Sequence, residues 1–238
     1  MTSEQLRRVI LLYLFYLCFV SAVLWLFLAE VSSHLPFVTP DNIFHLLMEA
    51  QLFFVLIIWP LVIPAVLQNA VSYNIKGDGQ RPSLDAISGR VSVLFLQVLM
   101  FFILTLPISL MCTSIANLDW IILAKGSVYV FAIALIVAAV FDIGITRKLN
   151  IAPLYYLIIF ILSAGVPFLY YLMREFYGRD AIELSVLSPF WCALYIGEGN
   201  GTGWLWLMQV AMFAVVLAII YAVGYLFGRG RKPKISNI

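Results

Sequence analysis

The residues of this 238-residue chain that could carry chemistry are few and scattered. His34 and His45 could hold a metal or a haem, but no nearby ligand completes a set, and no HExxH pair exists. They read as ordinary polar residues in or beside one loop. Cys18, Cys112 and Cys192 lie far apart in apolar or aromatic surroundings with no CxxC pair, so neither a disulfide framework nor a zinc site is expected. Ser88-Gly89 could belong to an intramembrane serine protease only if a helix-borne histidine served as its base, and no apolar run supplies one. Gly77-Asp78-Gly79 follows no strand and is not a dinucleotide loop; no GxxxxGK[ST] stretch exists to cradle ATP phosphates. Asn200-Gly201-Thr202 matches a glycosylation sequon, which has meaning only in a eukaryotic secretory pathway and reads as chance. The chain is therefore expected not to be an enzyme, and to hold no metal or cofactor of its own.

A second group of polar residues sits within long apolar runs, where ionisable groups are expensive and often functional. Asp142 lies five residues before Arg147 and is expected to reach lipid headgroups or pair with a basic neighbour. Lys125 lies about one turn into its run, where its long stem would snorkel to the surface. Glu49 and Gln51 open another run and could line the mouth of a path. Gln97 is deeper and is the best candidate to face a partner helix or a cavity. No chain of acids suggests a proton relay.

The elements that must position these residues follow from composition. Hydrophobic residues make up 64% of the chain, charged ones 11%, and the mean hydropathy is +1.04. Soluble domains carry about 45–50% apolar and about 25% charged residues. A soluble protein of this length could not hide so much apolar surface; lipid can serve as its solvent. A net charge of +2 is too small to point to nucleic acid. Apolar runs of spanning length place helices near 9–29, 47–71, 91–114, 120–143, 151–172 and 204–227. The first is read as a retained helix rather than a signal peptide, because it is of spanning length and no small-x-small site closes it. Pro60, Pro64, Pro107 and Pro167 fall inside runs, where neighbours are expected to satisfy the carbonyls they free. The chain, residues 1–238, reads as one all-α integral membrane domain.

Charge sets the orientation. Eleven of the fourteen Lys and Arg residues fall on one side: Arg7 and Arg8; Lys76, Arg81 and Arg90; Arg147 and Lys148; and Arg229, Arg231, Lys232 and Lys234. Lys125, Arg174 and Arg179 remain for the other side, with most of the acids. The positive-inside rule then puts both termini in the cytoplasm. The aromatic-rich outer segment 173–203 is expected to form a helix over Arg174 to Leu187, on or dipping into the outer leaflet.

The order of features from Ile57 to Ile161 is specific. A proline-containing helix, IIWPLVIPAVLQNAV, is followed by a polar segment, SYNIKGDGQRPSLDAISGR. Then come a helix with the Leu106-Pro107 step, a tight turn at Asn117 to Trp120, a basic turn at 146–150 and, later, the Ser188-Pro189 step. Within the polar segment, Pro82 suits a first helical turn. Ser83 to Arg90 would make a short amphipathic helix with Leu84 and Ile87 on one face, and with Asp85 and Arg81 on the other.

This order resembles the permease subunits of ATP-binding-cassette transporters of the type-2 exporter superfamily, over nearly the whole chain. Two departures stand out. Where such permeases often carry an acidic-basic run and Gly-Thr-Leu-Glu, this chain has Lys76-Gly77-Asp78 and Pro82-Ser83-Leu84-Asp85. About eight residues precede the first apolar run, where a longer amphipathic helix is often found. The resemblance implies a six-span permease of the cell (inner) membrane, paired with a second permease chain and with separate ATPase subunits that bind ATP and magnesium. It makes Lys76, Asp78, Arg81, Leu84, Asp85, Ile87, Arg147 and Lys148 the ATPase-coupling residues, segment 72–90 the coupling helix, and Glu49, Gln51 and Gln97 candidates to line the path. Against it stand two other readings of the same residues. Segment 72–90 could be a solvated loop, and the chain a membrane anchor or assembly factor that transports nothing. A secondary transporter would need internal repeats with helices broken at matching places, and no such repeat is visible between the halves.

Overall fold

A polypeptide in hydrocarbon must satisfy its backbone internally, and this chain does so with helices. A computed structural model describes residues 3–32, 42–63, 84–146, 149–178, 182–197 and 204–228, which are almost entirely helical and include no strand. We number the helices α1, Ser3–Ser32; α2, Asn42–Ile63, with a π-helical turn at Phe54–Ile58; α3, Leu84–Ile115; α4, Trp120–Thr146; α5, Ala152–Tyr177, with a π-helical turn at Ile161–Gly165; α6, Pro189–Gly197; and α7, Leu205–Gly228. A 3-10 turn, Ile182–Leu187, joins α5 to α6.

Four segments are long and apolar enough to cross a bilayer: Asn42–Ile63, Leu94–Ile115, Trp120–Ile145 and Ala152–Tyr177. The corresponding apolar stretches of α1 and α7, Ile10–Leu26 and Leu205–Ile219, are shorter. The chain is thus a helical membrane protein by length and composition. The segments Lys76 to Arg81 and Arg147-Lys148 lie outside the described residues, as does His34.

Local sequence explains where helices stop. Asn117 adopts a left-handed φ of 50°. The Leu118 N–H donates to the Thr113 carbonyl at 3.1 Å and the Asn117 N–H to the Ser114 carbonyl at 3.3 Å, closing α3 in a Schellman motif. The Asp119 carbonyl then accepts the first bond of α4 from Ile122 at 2.9 Å. This is the tight turn the sequence indicated.

The helix expected over Arg174 to Leu187 does not form as one piece. Arg174 to Tyr177 finish α5, and Gly178 ends it in the left-handed region at φ 60°. The chain resumes as the 3-10 turn and then α6. There Pro189 occupies the first helical position and the Ser188 hydroxyl oxygen accepts from the Trp191 N–H at 3.4 Å.

Two boundaries also shift. Helix α2 begins at Asn42 rather than near 47, so His45 is a helical residue and not a loop residue. Residues 84–90 are helical, as the amphipathic reading requires, but they run without interruption into α3. They are its first turns, not a separate short helix across the surface.

Both π-helical turns sit at the same distance before a proline, Phe54–Ile58 before Pro60 and Ile161–Gly165 before Pro167. Proline has no N–H for the carbonyl four residues back. At Pro60 that carbonyl belongs to Leu56, and the Tyr155 hydroxyl of α5 donates to it at 2.9 Å. The Tyr156 hydroxyl donates to the next carbonyl, Ile57, at 3.1 Å. A neighbouring helix thus supplies what the proline withholds. Helix α3 stays α-helical through Pro107.

Helix α4 is the centre of the bundle, packed against α2, α3, α6 and α7. Tyr13 and Tyr16 of α1, Phe54 and Trp59 of α2 and Phe101 of α3 form an aromatic cluster, with Tyr16 and Phe54 ring centroids 4.4 Å apart and Tyr16 and Phe101 4.9 Å apart. Helix α5 is the outlier. Only 11% of its apolar window is buried, against 61% for α2, so α5 turns most of its surface outward.

Candidate functional site

Four buried polar side chains form a row along α3 that winds slowly around the helix. Gln97, Thr105, Ser109 and Thr113 fall at four-residue steps, with Phe101 filling the remaining step. Side chains four apart share a helix face. At 1.5 Å per residue the stripe runs about 24 Å, most of the ~30 Å hydrocarbon thickness. Each hydroxyl donates to the carbonyl one turn back: Thr105 Oγ1 to Phe101 at 2.9 Å, Ser109 Oγ to Thr105 at 2.9 Å and Thr113 Oγ1 to Ser109 at 2.7 Å. This back-bonding lets hydroxyls sit deep in a membrane helix without another donor or acceptor.

At Thr105 and Ser109 the stripe meets polar groups from neighbouring helices. Gln51 of α2 and Ser127 of α4 line the same small cavity, of about 20 Å³, together with Tyr16 of α1 and apolar walls from Val55, Val98 and Phe102. Tyr16 and Thr105 face the same cavity. Gln51 is 6% exposed, so an amide is buried in the middle of the bundle.

Of the residues the sequence offered for a path, Gln51 thus faces the polar cavity. Gln97 is buried on the same stripe, about 12 Å along the axis from Thr105. Its main-chain carbonyl accepts from the Tyr13 hydroxyl at 3.4 Å. Glu49 is half-buried and does not line the cavity.

Of the proposed coupling residues, Leu84, Asp85 and Ile87 lie by backbone in the first turns of α3. Lys76, Asp78, Arg81, Arg147 and Lys148 fall outside the described residues. Arg147 and Lys148, the basic residues nearest Asp142 in sequence, lie outside the described residues. Asp142 itself is buried beside a cleft between α3, α4 and α7, walled by Leu94, Ala138, Ala214 and Ala218.

Two further polar contacts lock the bundle. Tyr129 of α4 donates its hydroxyl proton to the Pro189 carbonyl at 2.8 Å, and the Gln209 side-chain amide of α7 meets the same hydroxyl. A phenol has one proton, so the amide is best satisfied with Nε2 donating to the phenolic oxygen. Cys192 lies beside the same hydroxyl. This knot ties α4, α6 and α7. Sequence reasoning missed Thr105, Ser109, Thr113, Ser127, Tyr129 and Gln209. The four-residue spacing from Gln97 to Thr113 was the one available signal.

A separate cleft of about 430 Å³ opens between α4, α5 and α7. Ile133, Val140, Leu154, Ile158, Phe213 and Val216 are among its apolar walls, and the Tyr155 hydroxyl is committed to Leu56.

No family model matches this chain, and no curated protein or solved structure is significantly similar to it.

Proposed function

We propose that this chain is the six-span permease subunit of an ATP-binding-cassette exporter, with both termini in the cytoplasm. Two permease chains would form the path, and separate ATPase subunits would supply the energy. The observation that carries the reading is the continuity of α3. One helix holds Leu84, Asp85 and Ile87 at one end and the buried stripe of Gln97, Thr105, Ser109 and Thr113 at the other. A helix is stiff along its axis, so a push on its first turns is delivered to the polar face within the membrane. ATPase closure against segment 72–90 would tilt or shift α3 against α2 and α4, a rigid-body switch between two packings. The resemblance in sequence order and the outward apolar surface of α5, where a second permease chain could pack, support the same reading.

The test is co-purification of the tagged chain from its native membrane, followed by ATPase assays in proteoliposomes. An ATPase subunit should be recovered, and Asp85→Ala with Arg81→Ala should uncouple hydrolysis from export by about tenfold or more while the complex still assembles. Recovery of no ATPase would overturn the proposal.

A second reading, a non-transporting membrane anchor, is favoured by one observation. The polar cavity has room for a single water-sized body, so no larger solute fits there. For an anchor, the same substitutions would produce an assembly defect or none.

A further inference from the structure

The cavity at Thr105 and Ser109 has an uneven set of donors and acceptors. Both hydroxyl protons are committed to main-chain carbonyls, so these two oxygens turn only lone pairs toward the space. From the other walls come the Gln51 amide and the Ser127 hydroxyl, neither of which has a hydrogen-bond partner among the described residues. An unserved amide in a buried site is costly. The space, about 20 Å³, holds about one water, and a buried water needs two to four polar partners.

We propose that this cavity is a binding site for one ordered water molecule. The water donates its two protons to the hydroxyl oxygens of Thr105 and Ser109, and accepts from Gln51 Nε2 and Ser127 Oγ. Two bonds given and two received complete its coordination and serve one polar atom on each of Gln51, Thr105, Ser109 and Ser127. A monovalent cation would take the lone pairs but leave the Gln51 NH2 and the Ser127 proton unserved. It would also bring a charge into a neutral site. The water bridges α2, α3 and α4, three helices with no direct side-chain hydrogen bond at the cavity among the described residues. The inference holds for a permease and for an anchor alike.

The direct test is an experimental structure of the full chain in lipid nanodiscs, at a resolution that shows ordered water. One peak within hydrogen-bond distance of Gln51, Thr105, Ser109 and Ser127, unchanged when sodium is replaced by choline, is the expected result. A collapsed or dry cavity, or a peak that depends on sodium, overturns the proposal. A double-mutant cycle with Gln51→Leu and Ser127→Ala gives a second readout, with folding measured by reversible unfolding in mixed micelles. The shared water should couple the two substitutions by at least about twofold in the unfolding equilibrium. Strict additivity would speak against it. Should Gln51→Leu fail to fold, Gln51→Glu with Ser127→Ala serves the same cycle.

Discussion

Tyr129 shows how much one hydroxyl holds in this bundle. It serves the Pro189 carbonyl and meets the Gln209 amide, both buried. Tyr129→Phe keeps the ring and strips the hydrogen bonds, leaving the carbonyl and the amide short of partners. Such a loss costs about 1–3 kcal/mol, and it should appear as a lower midpoint in denaturant unfolding with the helical content unchanged. Gly126 makes the complementary case through size. A Cβ there would lie 2.8 Å from Met48 Sδ and 2.9 Å from the Phe44 ring, so α2 and α4 approach closely because the residue is glycine. Ala is absorbed in part by the flexible Met48. The larger Val is not, and Gly126→Val should destabilise the protein by about 1–3 kcal/mol in the same assay. At this scale the sequence was legible where a residue has one physical use. Pro60 announced a missing donor, which a neighbouring helix supplies. Thr105, Ser109 and Thr113 were not legible. A hydroxyl that bonds its own helix looks, in sequence, like any small residue of an apolar run. Glu49 could not be told from Gln51 either, because two positions along a helix turn a side chain to a different face.

Between helices, the contact of α5 with α2 is the one most open to experiment. Pro60 denies a donor to the Leu56 carbonyl, and Tyr155 supplies one from α5. Removing the hydroxyl with Tyr155→Phe should cost about 1 kcal/mol. In a Pro60→Ala background the main chain regains an N–H at position 60, so the same substitution should cost measurably less. Equal costs in the two backgrounds would mean that the tyrosine does not compensate the proline. The element boundaries were legible wherever a local rule decided them. The turn at Asn117 to Trp120 is one case, since asparagine tolerates the left-handed conformation found there. The break at Gly178 was missed because the expectation rested on aromatic residues that favour the interface, whereas a glycine C-cap ends a helix whichever residues lie beyond. The start of α3 was missed for a different reason. The change from polar to apolar at about residue 91 marks where the helix enters an apolar environment and not where the helix begins, because helical hydrogen bonding is indifferent to that boundary.

For the molecule as a whole, 64% hydrophobic residues and recurrent apolar runs were enough to read a helical membrane protein. Four segments have the length and composition to cross a bilayer. What sequence could not supply is which helix is central, since α4 and α5 both have the length and apolarity to cross a bilayer, yet neighbours cover 44% of the apolar window of α4 and 11% of that of α5. The orientation rests on charge, and it gives the sharpest prediction. The basic clusters at 7–8, 76–90, 147–148 and 229–234 can face one compartment only if the chain crosses an even number of times between each pair. Helices α2 and α3 are each long enough to cross, but the described apolar stretches of α1 and α7 are shorter, so the first and last crossings depend on those two helices. Reporter fusions after residue 80 and at the C-terminus should therefore both report the cytoplasm, and a fusion at Leu118, in the turn between α3 and α4, the opposite face. Were residue 80 and the C-terminus to report different faces, an odd number of crossings would separate them. The first turns of α3 and the C-terminal basic cluster could not then both meet a cytoplasmic ATPase. Moving charge should move the topology in a graded way. Replacing Arg229, Arg231, Lys232 and Lys234 with Gln should produce a mixed population at the C-terminal reporter while leaving the reporter at residue 80 unchanged, because α2 and α3 hold that segment by their own length.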